Sequence, residues 1–184
     1  ILMDVSADSD PTLRGCSGWL YGDDVVGTAG HCIHSGGRIS NPYWFRSVVV
    51  VPGNDRTKAP FGVCGAKRLY SVKGWVEKGL EDYDYGAIKL DCKIGPTTGT
   101  IGLLGSGLQR GASTVVGGYP SKCPTPARGN QERDPTFRQQ WTAPDIVRRL
   151  TLQLVFYEND TGCGGGSGAP LYVSTQDCGT CAVG

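Results

Sequence analysis

The 184-residue chain has almost no net charge, with 18 basic against 17 acidic side chains leaving +1. Without an excess of one sign, neither nucleic acid nor an anionic lipid surface is expected as a partner. No apolar run is long enough to cross a bilayer, so no membrane partner is expected either. Uninterrupted helical periodicity is missing, which excludes long helices and coiled coils. The start, Ile1-Leu2-Met3, shows neither the basic segment nor the apolar core of a signal peptide. It reads as a mature or processed product whose leader has been removed. Histidine is scarce, with His31 and His34 alone, so any histidine-dependent chemistry is confined to one short stretch.

What is present points to a folded, turn-rich chain. Apolar residues make up 39% and charged residues 19%, which argues against wholesale disorder. The length suits one or two small domains with a sizeable core. The 29 glycines and 11 prolines follow no collagen-like period and imply many turns, hence short strands. Segments 18–26, 47–51, 68–75, 85–90, 113–119 and 150–157 are short and rich in Val, Ile, Tyr and Trp, and read as strands. Turn clusters such as Ser35-Gly36-Gly37 and Gly53-Asn54-Asp55 bound them. This spacing, without intervening helical patterns, indicates an all-β sandwich or barrel. The Gly- and Pro-containing stretch 93–100 is the best internal boundary, and 122–138, polar with three prolines, reads as a surface loop. Eight cysteines, a high and even count, suggest disulfides formed in an oxidising compartment, so the chain is expected to be secreted and extracellular.

Three islands could hold one reaction. Thr28-Ala29-Gly30-His31-Cys32 places a candidate base beside a candidate disulfide. Asp82-Tyr83-Asp84-Tyr85-Gly86 is an acidic approach to the apolar strand Ala87-Ile88-Lys89-Leu90. Gly165-Gly166-Ser167-Gly168-Ala169-Pro170 sets a serine in a glycine-rich turn. A serine nucleophile needs a base to take its proton, and the base needs a carboxylate to orient it. Glycines around the serine let backbone N–H groups reach a developing oxyanion. The order is His, Asp, Ser. An α/β-hydrolase requires the serine before the histidine, and both histidines precede Ser167. The subtilisin order needs an Asp before the His, which only Asp4, Asp8, Asp10, Asp23 or Asp24 could supply, and the chain lacks the alternating strands and helices of that fold.

With these motifs the sequence resembles the chymotrypsin-fold serine endopeptidases. TAGHC at 28–32 matches their histidine motif, DYGAIKL at 84–90 their aspartate motif and GGSGAP at 165–170 their serine motif. CSGWLYGDDVVGTAGHCI at 16–33, YDYGAIKL at 83–90, GGYP at 117–120 and the stretch 153–170 resemble the secreted bacterial glutamyl endopeptidases in particular. The resemblance covers most of residues 16–184. It implies two antiparallel six-stranded β-barrels with the active site at their junction. Residues 1–95 would carry His31 and Asp84, and residues 96–184 Ser167 and the oxyanion hole.

The resemblance implies a role for each residue. His31 is general base and then general acid, Asp84 orients it, and Ser167 is the nucleophile. The N–H groups of Gly165 and Ser167 form the oxyanion hole. Asp82 rivals Asp84, because two positions on one strand face the same side; only the match of DYGAIKL favours Asp84. His34 has no matching role and is left as a surface or loop residue. Gly166 stands where digestive trypsins carry the Asp that pairs with a new amino terminus, so activation through Ile1 is unsupported. Thr161 resembles the family's pocket threonine and supports cleavage after Glu. It also belongs to the sequon Asn159-Asp160-Thr161, where a sugar would obstruct substrate. Activity is expected to fail below about pH 6 to 7, where the imidazole is protonated.

The family match pairs Cys16 with Cys32 and Cys178 with Cys181. The other four cysteines allow three pairings. Cys64 opens one strand of a hairpin and Cys92 closes the other, which favours Cys64–Cys92 and leaves Cys123–Cys163. Relatives in this family carry a further N-terminal segment. They also continue past the position of Gly184 with the strand lining the primary pocket and a helix. Further polypeptide segments are therefore expected to complete the second barrel, with peptides or proteins as substrates and no cofactor. Two other readings compete. An inactive homologue of the same fold would act as a binding module. A zinc-stabilised protein would use His31, His34, Cys178 and Cys181 as ligands, although the family reading takes no metal.

Overall fold

The computed structural model describes residues 2–7, 10–55, 58–120, 141–158 and 166–183. Short β-branched and aromatic runs, broken by Gly, Pro and Asp turns, favour extended backbone, and strands dominate. The first sheet is built from β1 (Leu2–Ala7), β2 (Asp10–Ser17), β3 (Trp19–Gly22), β4 (Val25–Thr28), β5 (Ser47–Val51), β6 (Cys64–Ser71) and β7 (Gly86–Leu90). Its order is β2-β1-β5-β6-β7-β4-β3, antiparallel throughout. Two single-turn helices, α1 (Lys73–Val76) and α2 (Gly95–Thr98), flank β7.

The second half contributes β8 (Gly102–Leu103), β9 (Ser113–Gly118) and β10 (Trp141–Ile146), then a separate hairpin of β11 (Arg149–Leu150) and β12 (Val155–Phe156). The final strands are β13 (Leu171–Thr175) and β14 (Gly179–Ala182). The second sheet runs β10-β9-β13-β14-β8, and its β14–β8 pair is parallel.

Alternation decides which side chains meet. In β5, Val48 and Val50 turn inward, and in β7 Ile88 and Leu90 do the same. They join Leu20, Val26, Ile33, Phe45 and three cysteines in one core cluster. Burying an aliphatic side chain of this size stabilises by about 1.5–3 kcal/mol relative to leaving it exposed. Val116, Leu171 and Val173 are buried in the second sheet. Tyr119, just past β9, is 1% exposed and packs on Val51 and Val49 of the first sheet, so the two halves share apolar contact.

Several expectations need correction. Segment 18–26 is not one strand but the hairpin β3–β4, because the chain reverses at Asp23-Asp24. There the Asp23 carbonyl accepts the amides of Ile94 and Gly95. Segment 68–75 holds only the end of β6; from Lys73 the chain coils into α1. Segment 150–157 is a hairpin turned at Thr151, whose hydroxyl accepts the Leu154 amide at 2.8 Å. Loop 122–138 lies outside the described residues.

Candidate active site

His31 and Asp84 lie 53 positions apart, and the register of two strands brings them together. β4 runs antiparallel to β7 with Thr28 opposite Gly86, so the exit of one adjoins the approach to the other. After Thr28 the chain takes one tight turn, Gly30–Cys32, closed by the Ile33 amide on the Gly30 carbonyl at 3.0 Å. In this turn Gly30 and Cys32 are buried while His31 points outward. Cys32 is fully buried and disulfide-bonded to Cys16 at the end of β2, which pins the turn from beneath. Before β7, a second tight turn, Glu81–Tyr83, delivers Asp84.

The Asp84 carboxylate grips His31 twice. The His31 main-chain N–H donates to Oδ1 at 2.7 Å, and ring Nδ1 lies 2.6 Å from Oδ2. An ionised carboxylate only accepts, so Nδ1 carries the proton and, in the neutral ring, Nε2 is left as the acceptor. The side chains are 43% and 24% exposed, so the ring is open to a reagent while its partner is partly sheltered. Asp82 and Asp84 do not share a strand as expected. Asp82 belongs to the turn before Asp84 and is exposed.

Trp75 of α1 braces the histidine turn. Its ring sits edge-on to His31, with centroids 6.4 Å apart, and its indole N–H donates to the His34 carbonyl at 3.1 Å. It also closes on Gly30, where a Cβ would meet Trp75 Cδ1 at 2.8 Å and Asp84 Oδ1 at 2.9 Å. Only glycine admits both neighbours. Sequence reading missed Trp75, since an aromatic at the end of the strand-like run 68–75 gave no sign of turning toward the site.

His34 is not at the surface. It is 2% exposed, its Nδ1 accepts the Gly36 amide at 3.0 Å, and its ring meets Trp44 edge-on at 4.7 Å. Burial lowers its pKa by desolvating the charged form, so the ring is held neutral.

Ser167 lies in a turn closed by the Ala169 amide on the Gly166 carbonyl at 2.9 Å. That turn rests on the histidine segment. The Ser167 carbonyl accepts the Ser17 amide at 2.7 Å and lies 3.6 Å from Cys32 Sγ. Gly168 adopts φ +78°, and a Cβ there would strike the Thr28 hydroxyl, the Ser17 carbonyl and the Ala29 amide. The left-handed backbone and the close approach both demand glycine.

Gly165, Thr161, Cys123 and Cys163 lie outside the described residues, as does the sequon. Cys64 is bonded to Cys92, and Cys178 to Cys181. The zinc reading therefore loses its thiolates, and the Nδ1 of His34 is already occupied by Gly36. Among the described residues, the groupings Cys16-His31-Cys32 and Cys64-Asp91-Cys92 likewise offer no free thiolate, since their sulfurs are bonded to each other.

A family model described as Trypsin matches residues 5–184. Among curated proteins the chain is 34% identical over 172 residues to an extracellular metalloprotease of Bacillus subtilis strain 168. It is 30% identical over 172 residues to a glutamyl endopeptidase of Bacillus licheniformis. These alignments cover 92% and 93% of this chain but 49% of each relative, so the chain spans about half the length of the curated relatives it matches. Among solved structures, a Glu endopeptidase in complex with MPD superposes with a TM-score of 0.75 at 22% identity, covering 99% of this chain and 84% of that one. A thermostable serine protease, AL20, gives 0.74 at 20% identity, covering 97% and 79%.

Proposed function

The chain belongs to the trypsin family of serine proteases and has its chymotrypsin-like fold, and from that premise we propose that it is a secreted endopeptidase acting through Ser167, His31 and Asp84. The observation that carries the reading is the double grip of Asp84 on His31 beside the Ser167 turn. Residues 1–95 form the barrel that supplies base and carboxylate, and residues 96–184 the barrel that supplies the nucleophile. His31 Nε2 takes the proton of Ser167 as its oxygen attacks the peptide carbonyl. The N–H groups of Gly165 and Ser167 hold the oxyanion. The imidazolium returns the proton to the leaving amine, while Asp84 stabilises its charge. Water activated by the same ring then hydrolyses the acyl-enzyme.

Substrates are peptides or proteins, with preference for Glu before the cleaved bond. The glutamyl endopeptidase relative and the Thr161 match support that preference. Disulfides and a relative described as extracellular support secretion.

Cleavage-site profiling on a peptide library tests the whole reading. We expect cuts after Glu, complete loss in Ser167→Ala, and labelling of Ser167 by an organophosphonate. An inactive homologue acting as a binding module would neither cut nor label. Unchanged hydrolysis by Ser167→Ala would refute the mechanism.

A further inference from the structure

We infer that Ser17 is a positioning residue that ties the Ser167 turn, the His31 segment and the Tyr119 end of β9 into one register. The inference rests on the proposed peptidase reading for its catalytic consequence. Ser17 is wholly buried at the end of β2, next to Cys16. Its three polar groups go to three different segments. Its N–H donates to the Ser167 carbonyl at 2.7 Å, and its carbonyl accepts the Thr28 hydroxyl at 2.8 Å. Its Oγ accepts the Tyr119 amide at 2.8 Å, across 102 positions of sequence.

Two of these bonds use backbone groups, which a substituted residue still offers. The third depends on the hydroxyl. Tyr119 follows β9, and β9 pairs with β13 through Val116 opposite Leu171 and Val115 opposite Tyr172. The Gly117 amide also donates to the carbonyl of Pro170, three residues past Ser167, at 3.2 Å. Holding the Tyr119 amide therefore holds β9, β13 and the turn that precedes β13 against the strand beneath His31. An alanine at this buried position leaves the Tyr119 amide without its acceptor, and the turn gains freedom relative to the histidine. Misplacement of reacting groups by about 1 Å is enough to cost roughly a hundredfold in rate.

The test compares the full chain with Ser17→Ala and with Ser17→Cys, whose sulfur is a larger and weaker acceptor. All assays run below each variant's melting midpoint. We expect kcat and the organophosphonate inactivation rate to fall roughly ten- to a hundredfold in the alanine variant, to fall less in the cysteine variant, and KM to stay constant. A folded Ser17→Ala within twofold of the parent overturns the proposal; should that variant not fold, a Ser17→Cys with unchanged kcat does the same. Amide exchange by NMR reads the register independently of activity. Protection should drop at both Tyr119 and Ser17, the latter amide reporting on the Ser167 carbonyl. Loss at Tyr119 alone would overturn the register argument. A parent chain that neither cuts nor labels would sink the peptidase reading and leave the exchange result to judge Ser17.

Discussion

Both oxygens of Asp84 are committed to His31, one to its main chain and one to its ring. The main-chain bond sets where the residue sits, and the ring bond sets which nitrogen carries the proton. An amide cannot do both in the same way, since it offers one acceptor and one donor. Asp84→Asn should therefore fold but favour the wrong tautomer, lowering kcat by roughly four orders of magnitude with little change in KM. Steady-state kinetics on a Glu-containing peptide measure this. Parent-like turnover in Asp84→Asn would move the orienting role elsewhere, with Asp82 the first alternative.

At the scale of elements, the histidine turn is held by what packs around it. The Cys16–Cys32 bond fastens it below, and α1 lays Trp75 across Gly30. His34 is buried among the same elements with a lowered pKa. The sign of its effect on stability follows. Above the ordinary value of 6.5 the ring is neutral in folded and unfolded chains alike. As pH falls through that value the unfolded chain gains a proton that the folded chain refuses, so stability declines until the lowered folded pKa is reached. His34→Asn keeps an acceptor for the Gly36 amide but cannot titrate. Urea midpoints at pH 8 and pH 5 should differ less in His34→Asn than in the parent, and equal differences would show that His34 contributes nothing to acid sensitivity.

Across the whole molecule, Tyr119 carries contact between the halves. It sits past the second sheet's β9 yet is buried against the first sheet's Val51. Burial pushes its pKa up to about 12, against a smaller opposing effect of a hydrogen bond from the Asn54 backbone. Between pH 10 and that value the unfolded chain ionises and the folded one does not, so stability should fall as pH rises through this window. Tyr119→Phe removes the titrating group and the acceptor for Asn54. It should cost about 1–3 kcal/mol at neutral pH and unfold with a weaker alkaline dependence. Circular-dichroism melts at pH 8 and pH 11 check both outcomes; parallel curves for parent and variant would exclude Tyr119 from the alkaline transition.

Sequence alone determined the features that short windows carry. TAGHC, DYGAIKL and GGSGAP are local patterns, so the chymotrypsin-like fold and the family could be read from them. The strand 47–51 was legible for the same reason, because four consecutive valines after Ser47 favour extended backbone whatever lies around them. Tertiary structure decided what depends on distant neighbours. The run from Tyr70 to Trp75 has strand composition, yet Trp75 ends in a helix against Gly30 and Gly36. His34 and Ser17 look like ordinary loop and strand-end residues until Trp44 covers one and Tyr119 reaches the other. Their burial arises from contacts made across the folded chain, and a linear pattern holds no trace of a partner 102 positions away.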